Sequence, residues 1–535
     1  MVSFMLKMVT FVNMLRKLMI PVALCVAMQT AAGQGNVKKQ IESLVTDGQL
    51  KGAVVGVCVM DADGKVLTEY NSNVRMTPAS NLKLVTTGAA LYAFGPEYRF
   101  KTQIGYTGYI DKPANSTGSR NGNGKSTDSN SGKSTGSNSG KSTATGTLHG
   151  DIIIIGGGDP TIGAKDSTAY KADALFWKWK TILQNAGITR IDGSIIGDGT
   201  AYEGYLEHPA WEHADTWTYF GTGTNALSFY ENTIDLEVGP GAAKGAPVTM
   251  RQVYPETPWL SIVNNATTGP KDTGNSLYMQ TSPLSATAVL TGTYPIDKRP
   301  KTEQAANKNG ALTCAHEFYK NLLSTGWDVT DTYGYATDSE IIIYDQKEGP
   351  SKAEKEPVTV IGETLSPTLA QIARRTNVSS DNFYAEAIFR AMGEAASGKA
   401  VYDSCLVAIN DVLEDIVPGT KDGIIQKDGS GLARGNSVSP GWMAGFLNAM
   451  KDNAAFVASL PRPGEGTLFN LNNLRPWKYR FKSGSMGGVL CYSGYILDQN
   501  GKPAKSFCIL TNNLGCTQQE ARAALEALIQ EIGKN

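Results

Sequence analysis

The chain has 535 residues, 49 basic against 50 acidic side chains and a hydrophobic fraction of 41%. That is material for a large core in more than one domain. The balanced charge excludes the one-signed field of a nucleic-acid binder, and the remaining composition is that of a soluble globular protein.

Residues 1–33 read as a secretory signal peptide. Arg16-Lys17 precedes the apolar run Leu18–Met28, and small residues at Thr30–Gly33 offer a cleavage site. The run is shorter than the roughly 18 apolar residues of a spanning helix, so no membrane span is expected in the mature chain. Six cysteines follow it: Cys58, Cys314, Cys405, Cys491, Cys508 and Cys516. An even count in an exported protein permits disulfides. Four of the six sit in apolar runs that suit buried thiols, and their spacing matches no zinc pattern.

Residues 37–47 look helical. Residues 53–60 and 65–70 read as two strands around the turn Asp61–Gly64. A helix is predicted from Ser80 to about Tyr92. The tract 115–146 is almost wholly Ser, Gly, Asn, Thr and Lys, with Gly-Lys-Ser-Thr recurring at Gly124, Gly132 and Gly140. The glycine that a phosphate-binding loop needs five residues earlier is absent. The tract therefore reads as a swollen hairpin loop between strand-like runs at 100–110 and 147–155. Residues 151–160 form a buried strand ending in a glycine turn. A mostly β accessory region with surface aromatics, notably Trp211, Trp217, Tyr219 and Phe220, is expected up to about Thr291. Residues 301–398 read as helical, with helices at 310–324, 368–376 and 382–396. At the C-terminal end a hairpin around Asn500-Gly501 leads into an amphipathic helix at 518–532. Hairpins at both ends, each flanked by a helix, imply one antiparallel sheet assembled from the two termini, with a large insertion between them.

Three short motifs carry the chemistry. Ser80 is the only serine followed three residues later by lysine, Lys83. At that spacing the two side chains share a helical face, so the amine reaches the hydroxyl as its base. Ser380-Asp381-Asn382 lies between two predicted helices, and Lys482-Ser483-Gly484-Ser485 opens the C-terminal hairpin. The four histidines lie outside these elements, so a histidine-based triad fits badly. Lys83 acts as base only while neutral. Burial, the positive end of the Ser80 helix and a second cation at Lys482 would each lower its pKa. The backbone N–H groups of Ser80 and Ser485 are the candidate oxyanion donors, with Gly484 letting the strand edge approach the substrate. Ser380 would relay a proton to the leaving amine, Asn382 would hold a substrate amide, and Lys482 would attract a substrate carboxylate. Taken singly, Ser80 could be a helix cap, Asn382 a helix start and Lys482 a solvated strand residue.

Together and in this order, Ser-x-x-Lys, Ser-x-Asn and Lys-Ser/Thr-Gly are the signature of penicillin-recognising serine enzymes. The chain resembles the DacB-type D-alanyl-D-alanine carboxypeptidases/endopeptidases, the low-molecular-mass class C penicillin-binding proteins. Gly157–Thr161, Asp428–Arg434 and Ser439-Pro440 extend the likeness, as do the some 296 residues between Lys83 and Ser380. Ser483 stands where Thr is usual, and Ala433 where Ser is usual.

The resemblance implies an α+β fold: a β-lactamase/transpeptidase-like domain, with an antiparallel sheet and a helical part, carrying a large mostly β insert. On this reading residues 34–95 and 300–535 form a split catalytic domain, and 96–299 form the accessory region with its low-complexity loop at 115–146. The resemblance further implies a periplasmic, cofactor-free and metal-free enzyme acting on peptidoglycan stem peptides through a Ser80 acyl-enzyme, with β-lactam antibiotics as acylating inhibitors. A β-lactamase or esterase on the same scaffold, or a non-catalytic wall-binding protein, are the alternatives. Carboxypeptidase and endopeptidase action share one nucleophile, and the sequence sets neither that preference nor the oligomeric state.

Overall fold

The computed structural model describes residues 37–111, 146–168, 170–345, 349–398, 400–419 and 421–534. The signal-peptide reading, nearly all of the low-complexity tract and Cys25 fall outside these residues. The chain opens with helix α1 (37–46), strand β1 (Val54–Asp61) and strand β2 (Val66–Tyr70). A single 3₁₀ turn, Ala79–Asn81, leads into α2 (Leu82–Phe94). The excursion that follows holds β3 (Lys101–Tyr106), β4 (Ile152–Gly156), α3 (Ala172–Asn185), β5 (Ile195–Asp198), β6 (Thr233–Gly239), β7 (Lys301–Ala306) and α4 (Gly310–Ser324). It continues through β8 (Tyr333–Ala336), β9 (Glu340–Asp345), β10 (Gly349–Glu354) and β11 (Thr359–Leu365). The chain then returns through α5 (Leu369–Ser379), α6 (Asn382–Ser397), α7 (Tyr402–Ile416) and α8 (Pro440–Ala449). It finishes with β12 (Tyr479–Met486), β13 (Val489–Leu497), β14 (Pro503–Asn512) and α9 (Gln518–Lys534).

Five antiparallel strands make the central sheet in the order β2-β1-β14-β13-β12, so the two termini meet where β1 pairs with β14. Side chains alternate across the pleat. Val55, Val57, Val59, Phe507 and Ile509 face α1 and α9, whose Ile41, Leu525, Leu528 and Ile532 close that side. Cys58, Cys491, Tyr495, Cys508 and Leu510 face the helical layer instead. In that layer α2 is buried on every side from Leu82 to Leu91, as expected for a helix without a polar face. The six cysteines of the described chain are free thiols, five of them buried.

The excursion is larger than the sequence suggests. Seven strands form a second sheet in the order β10-β9-β8-β5-β4-β3-β11, with β11 antiparallel to β3. Just past residue 300, β7 pairs with β6. Helix α4 buries Leu312, Phe318 and Leu322 against Ile154, Ile195 and Trp179 of the insert. The expectation of a helical stretch over 301–398 fails between residues 328 and 365, where the described residues hold strands β8, β9, β10 and β11. The insert also contains α3, whose Leu175, Phe176, Trp179 and Leu183 sit on one buried face. Periodicity reports which face of an element is apolar, but not which of two cores that face joins.

Among the described residues no helix is long and apolar enough to cross a membrane. Leu84 of α2 is fully buried in the central cluster. Leu84→Ala is expected to cost about 2–5 kcal/mol, read as a lowered midpoint in chemical denaturation.

Candidate active site

Ser80 stands in the 3₁₀ turn at the head of α2, not within the α-helix. Ala79 before it has φ +47°, left-handed backbone that costs a residue with a Cβ roughly 1–3 kcal/mol. The turn is held from two sides by glycines. A Cβ on Gly431 would lie 2.0 Å from the Ala79 carbonyl oxygen, and one on Gly484 would lie 2.5 Å from that of Pro78 and 3.1 Å from Ser80 N. The glycine of the Lys482-Ser483-Gly484 motif thus lets β12 press against the turn that carries Ser80. The backbone it meets is that of Pro78, Asn81 and, slightly farther off, Ser80 itself.

Lys83 is fully buried, and its Nζ meets three acceptors: Ser80 Oγ at 2.8 Å, Asn382 Oδ1 at 2.6 Å and the Ser430 carbonyl oxygen at 2.6 Å. Burial lowers its pKa to about 8, against the opposing pull of Asp428, Asp381 and Glu386. Lys482, also fully buried, donates to Ser380 Oγ at 2.9 Å and to the Ser483 carbonyl at 2.5 Å. Burial, and then repulsion from Lys83, hold its ammonium well below the ordinary lysine range. The sequence reading expects Lys482 to lower Lys83. In the structure burial is what lowers Lys83, opposed by an acidic surround, and it is Lys83 that acts on Lys482.

The Ser380–Asn382 link has a local cause. Ser380 is the left-handed C-cap of α5, φ +57°, and Asp381 is the N-cap of α6, its carboxylate accepting from Tyr384 N at 3.2 Å. This tight junction aims the Ser380 hydroxyl and the Asn382 amide at the two lysines. Asn382 also donates to the Phe220 carbonyl at 2.9 Å, so one of its two N–H groups is already engaged.

The loop from Asp428 to Arg434 folds around one buried carboxylate. Asp428 accepts from Gly431 N at 2.9 Å, Ala433 N at 2.7 Å, Asn436 Nδ2 at 2.8 Å and Trp211 Nε1 at 2.8 Å. Glu386 of α6 accepts from Ser430 N at 2.7 Å, and burial, with Asp428 second, pushes its carboxyl up to about 8. Trp211, expected at the surface, is instead buried. Tyr219 is exposed as expected.

These parts border a cleft of about 650 Å³. Ser80, Ser380, Asn382, Ser483 and Ser485 line it, with Arg375, Arg434 and Arg522 on its walls. Lys83 and Lys482 lie beneath the surface, while Ser483 Oγ, donating to Thr467 Oγ1 at 2.7 Å, faces the opening. The structure therefore gathers all eight residues singled out from the sequence. To them it adds Trp211, Phe220, Glu386, Asp428, Ser430 and Thr467. Of these only the Asp428 stretch carried a sequence signal; a backbone carbonyl such as that of Phe220 carries none. Among the described residues no histidine lines this cleft, and no group of three His, Cys, Asp or Glu side chains could hold a metal ion.

A sheet flanked by helices, with a serine hydroxyl set against a buried amine, defines a serine hydrolase of the β-lactamase and penicillin-binding-protein fold class. The chain belongs to the D-Ala-D-Ala carboxypeptidase 3 (S13) family, which it matches over residues 37–119 and 126–532. It is 26% identical over 493 residues to the D-alanyl-D-alanine carboxypeptidase of Actinomadura sp., spanning 89% of this chain and 80% of that protein. The penicillin-sensitive carboxypeptidase A of Dictyostelium discoideum is 24% identical over 456 residues, 82% of this chain and 78% of the relative. In fold the chain is similar to penicillin binding protein 4 (dacB) from Haemophilus influenzae, with a TM-score of 0.71, 19% identity, and coverage of 94% of this chain and 100% of that one.

Adding a Cβ at position 484 would push β12 off the Ser80 turn. Gly484→Ala is expected to slow acylation of Ser80 by a fluorescent penicillin about a hundredfold, measured as the rate of label incorporation.

Proposed function

We infer that the protein is a serine DD-peptidase that cleaves the D-Ala-D-Ala bond of peptidoglycan stem peptides, or the equivalent cross-link, through an acyl-enzyme on Ser80. The observation that carries the reading is the Ser80–Lys83 contact at 2.8 Å, opening onto a cleft beside an edge strand. In this proposal neutral Lys83 takes the Ser80 proton as Oγ attacks the carbonyl of the penultimate D-Ala. The oxyanion is held by the N–H groups of Ser80 and Ser485. The proton then passes by way of Ser380, held by Lys482, to the nitrogen of the departing D-Ala as the C–N bond breaks. Water, deprotonated along the same route, releases the acyl group and restores Ser80. Strand β12 is the last strand of its sheet, so its free edge offers backbone groups to an extended peptide. The Ser483 and Ser485 hydroxyls suit the substrate's terminal carboxylate, with Lys482 placed behind them.

A β-lactam presents a strained amide to the same serine, so penicillins are proposed as covalent inhibitors. The penicillin-sensitive Dictyostelium relative supports this reading. Action on peptidoglycan places the enzyme outside the cytoplasm; a periplasmic location is the finer proposal. The assigned roles need no cofactor.

Ser80→Ala is expected to abolish both D-Ala release from a pentapeptide and covalent penicillin labelling; normal labelling of that variant would refute the assignment. The pH dependence has a fixed sign. The reactive form of Lys83 is the neutral one, so kcat/KM for the peptide should rise about tenfold per pH unit below 8 and level off above it. A rate that falls through this range would remove Lys83 as the base.

A further inference from the structure

The neutral lysine amine has two N–H bonds and one lone pair, and catalysis requires that the lone pair face Ser80. The geometry points to one segment of the insert as the part that aims it. We propose that the strap at residues 205–223, through Trp211 and the Phe220 carbonyl, positions the two acceptors that take both N–H bonds of Lys83. This rests on the reading of Lys83 as base.

The Ser430 carbonyl and Asn382 Oδ1, each 2.6 Å from Nζ, are pure acceptors. Each takes one N–H, which leaves the lone pair for the Ser80 hydroxyl. The strap holds both. Asn382 Nδ2 donates to the Phe220 carbonyl at 2.9 Å. A flipped amide would set an oxygen against that carbonyl and an NH₂ against the amine's own N–H bonds, so the Phe220 contact fixes which end of Asn382 faces Lys83. The Ser430 carbonyl belongs to the loop wound on Asp428, and among the N–H donors to that carboxylate Trp211 Nε1 is the one supplied by the insert.

The strap is itself tethered. Lys308, just beyond β7 and buried, pairs with Glu207 and donates to the Thr216 carbonyl. Arg390 of α6 donates to the carbonyls of Tyr205 and Glu203 at 3.3 and 3.2 Å. Insert and catalytic layer thus meet on a single amine.

Trp211→Phe keeps the ring and deletes only the N–H. It is expected to lower kcat for D-Ala release and the penicillin acylation rate about tenfold, with KM within about twofold. The charges facing Lys83 are Asp428, Asp381, Glu386 and Lys482. With one donor fewer, Asp428 acts more strongly on the amine, so the acid limb of kcat/KM should move to higher pH. A packing role alone would leave that limb in place. Trp177→Phe, at an exposed tryptophan of α3, is the control expected to match wild type.

If Trp211→Phe does not fold, the paired change Lys308→Met with Glu207→Gln frees the strap without leaving a buried charge. It should slow acylation in the same way. Wild-type rate and wild-type acid limb in the folded variant would overturn the inference while leaving the serine-peptidase reading intact. Absence of Ser80 acylation in the wild-type enzyme would instead remove that reading and the inference with it.

Discussion

An amine buried completely inside a protein is expensive to keep charged, and every other feature of the site follows from how this chain handles that cost at Lys83. Desolvation draws the pKa from the ordinary lysine value to about 8, while Asp428, Asp381 and Glu386 stop it from falling further. On the proposed reading of Lys83 as base, this sets it close to working pH, where the gain in available neutral amine and the loss in basicity balance best. Fewer acids would leave a feeble base. Less burial would leave a permanent cation.

Much of this was legible in the chain. Ser80, Lys83, Ser380, Asn382 and Lys482 are side chains whose types and spacing carry meaning, and the hairpins at both ends foretold a sheet closed across the termini. What stayed illegible has a common physical origin. Residues 301–365 read as part of the catalytic half because apolar periodicity along α4 does not name the core it enters, and strands as short as β8 leave only four residues of pattern. Trp211 reads as a surface aromatic in the sequence because a lone tryptophan in an irregular segment has no periodicity at all. Its burial is decided by Asp428, some two hundred positions away. The Phe220 carbonyl is invisible to any residue-type reading.

The insert changes character in light of these contacts. It forms its own seven-stranded sheet and buries its own core, as an independent module would. Yet its strap reaches the buried carboxylate that organises the Asp428 loop and the amide that faces the base. The Glu212–Arg434 ion pair adds a third link near the rim of the cleft. A module appended for binding alone would have no need to touch the catalytic amine's partners.

The pairing of β1 with β14 sets a timetable for the molecule. The middle of the central sheet has no partner strand until the final few dozen residues of the chain have arrived, and β12, which presses on the nucleophile's turn, is laid down only shortly before them. A chain without these strands holds Ser80 and Lys83 but not the β12 wall that lies against their turn. On the proposed reading, the site around Ser80 is therefore complete only once the last hairpin has paired.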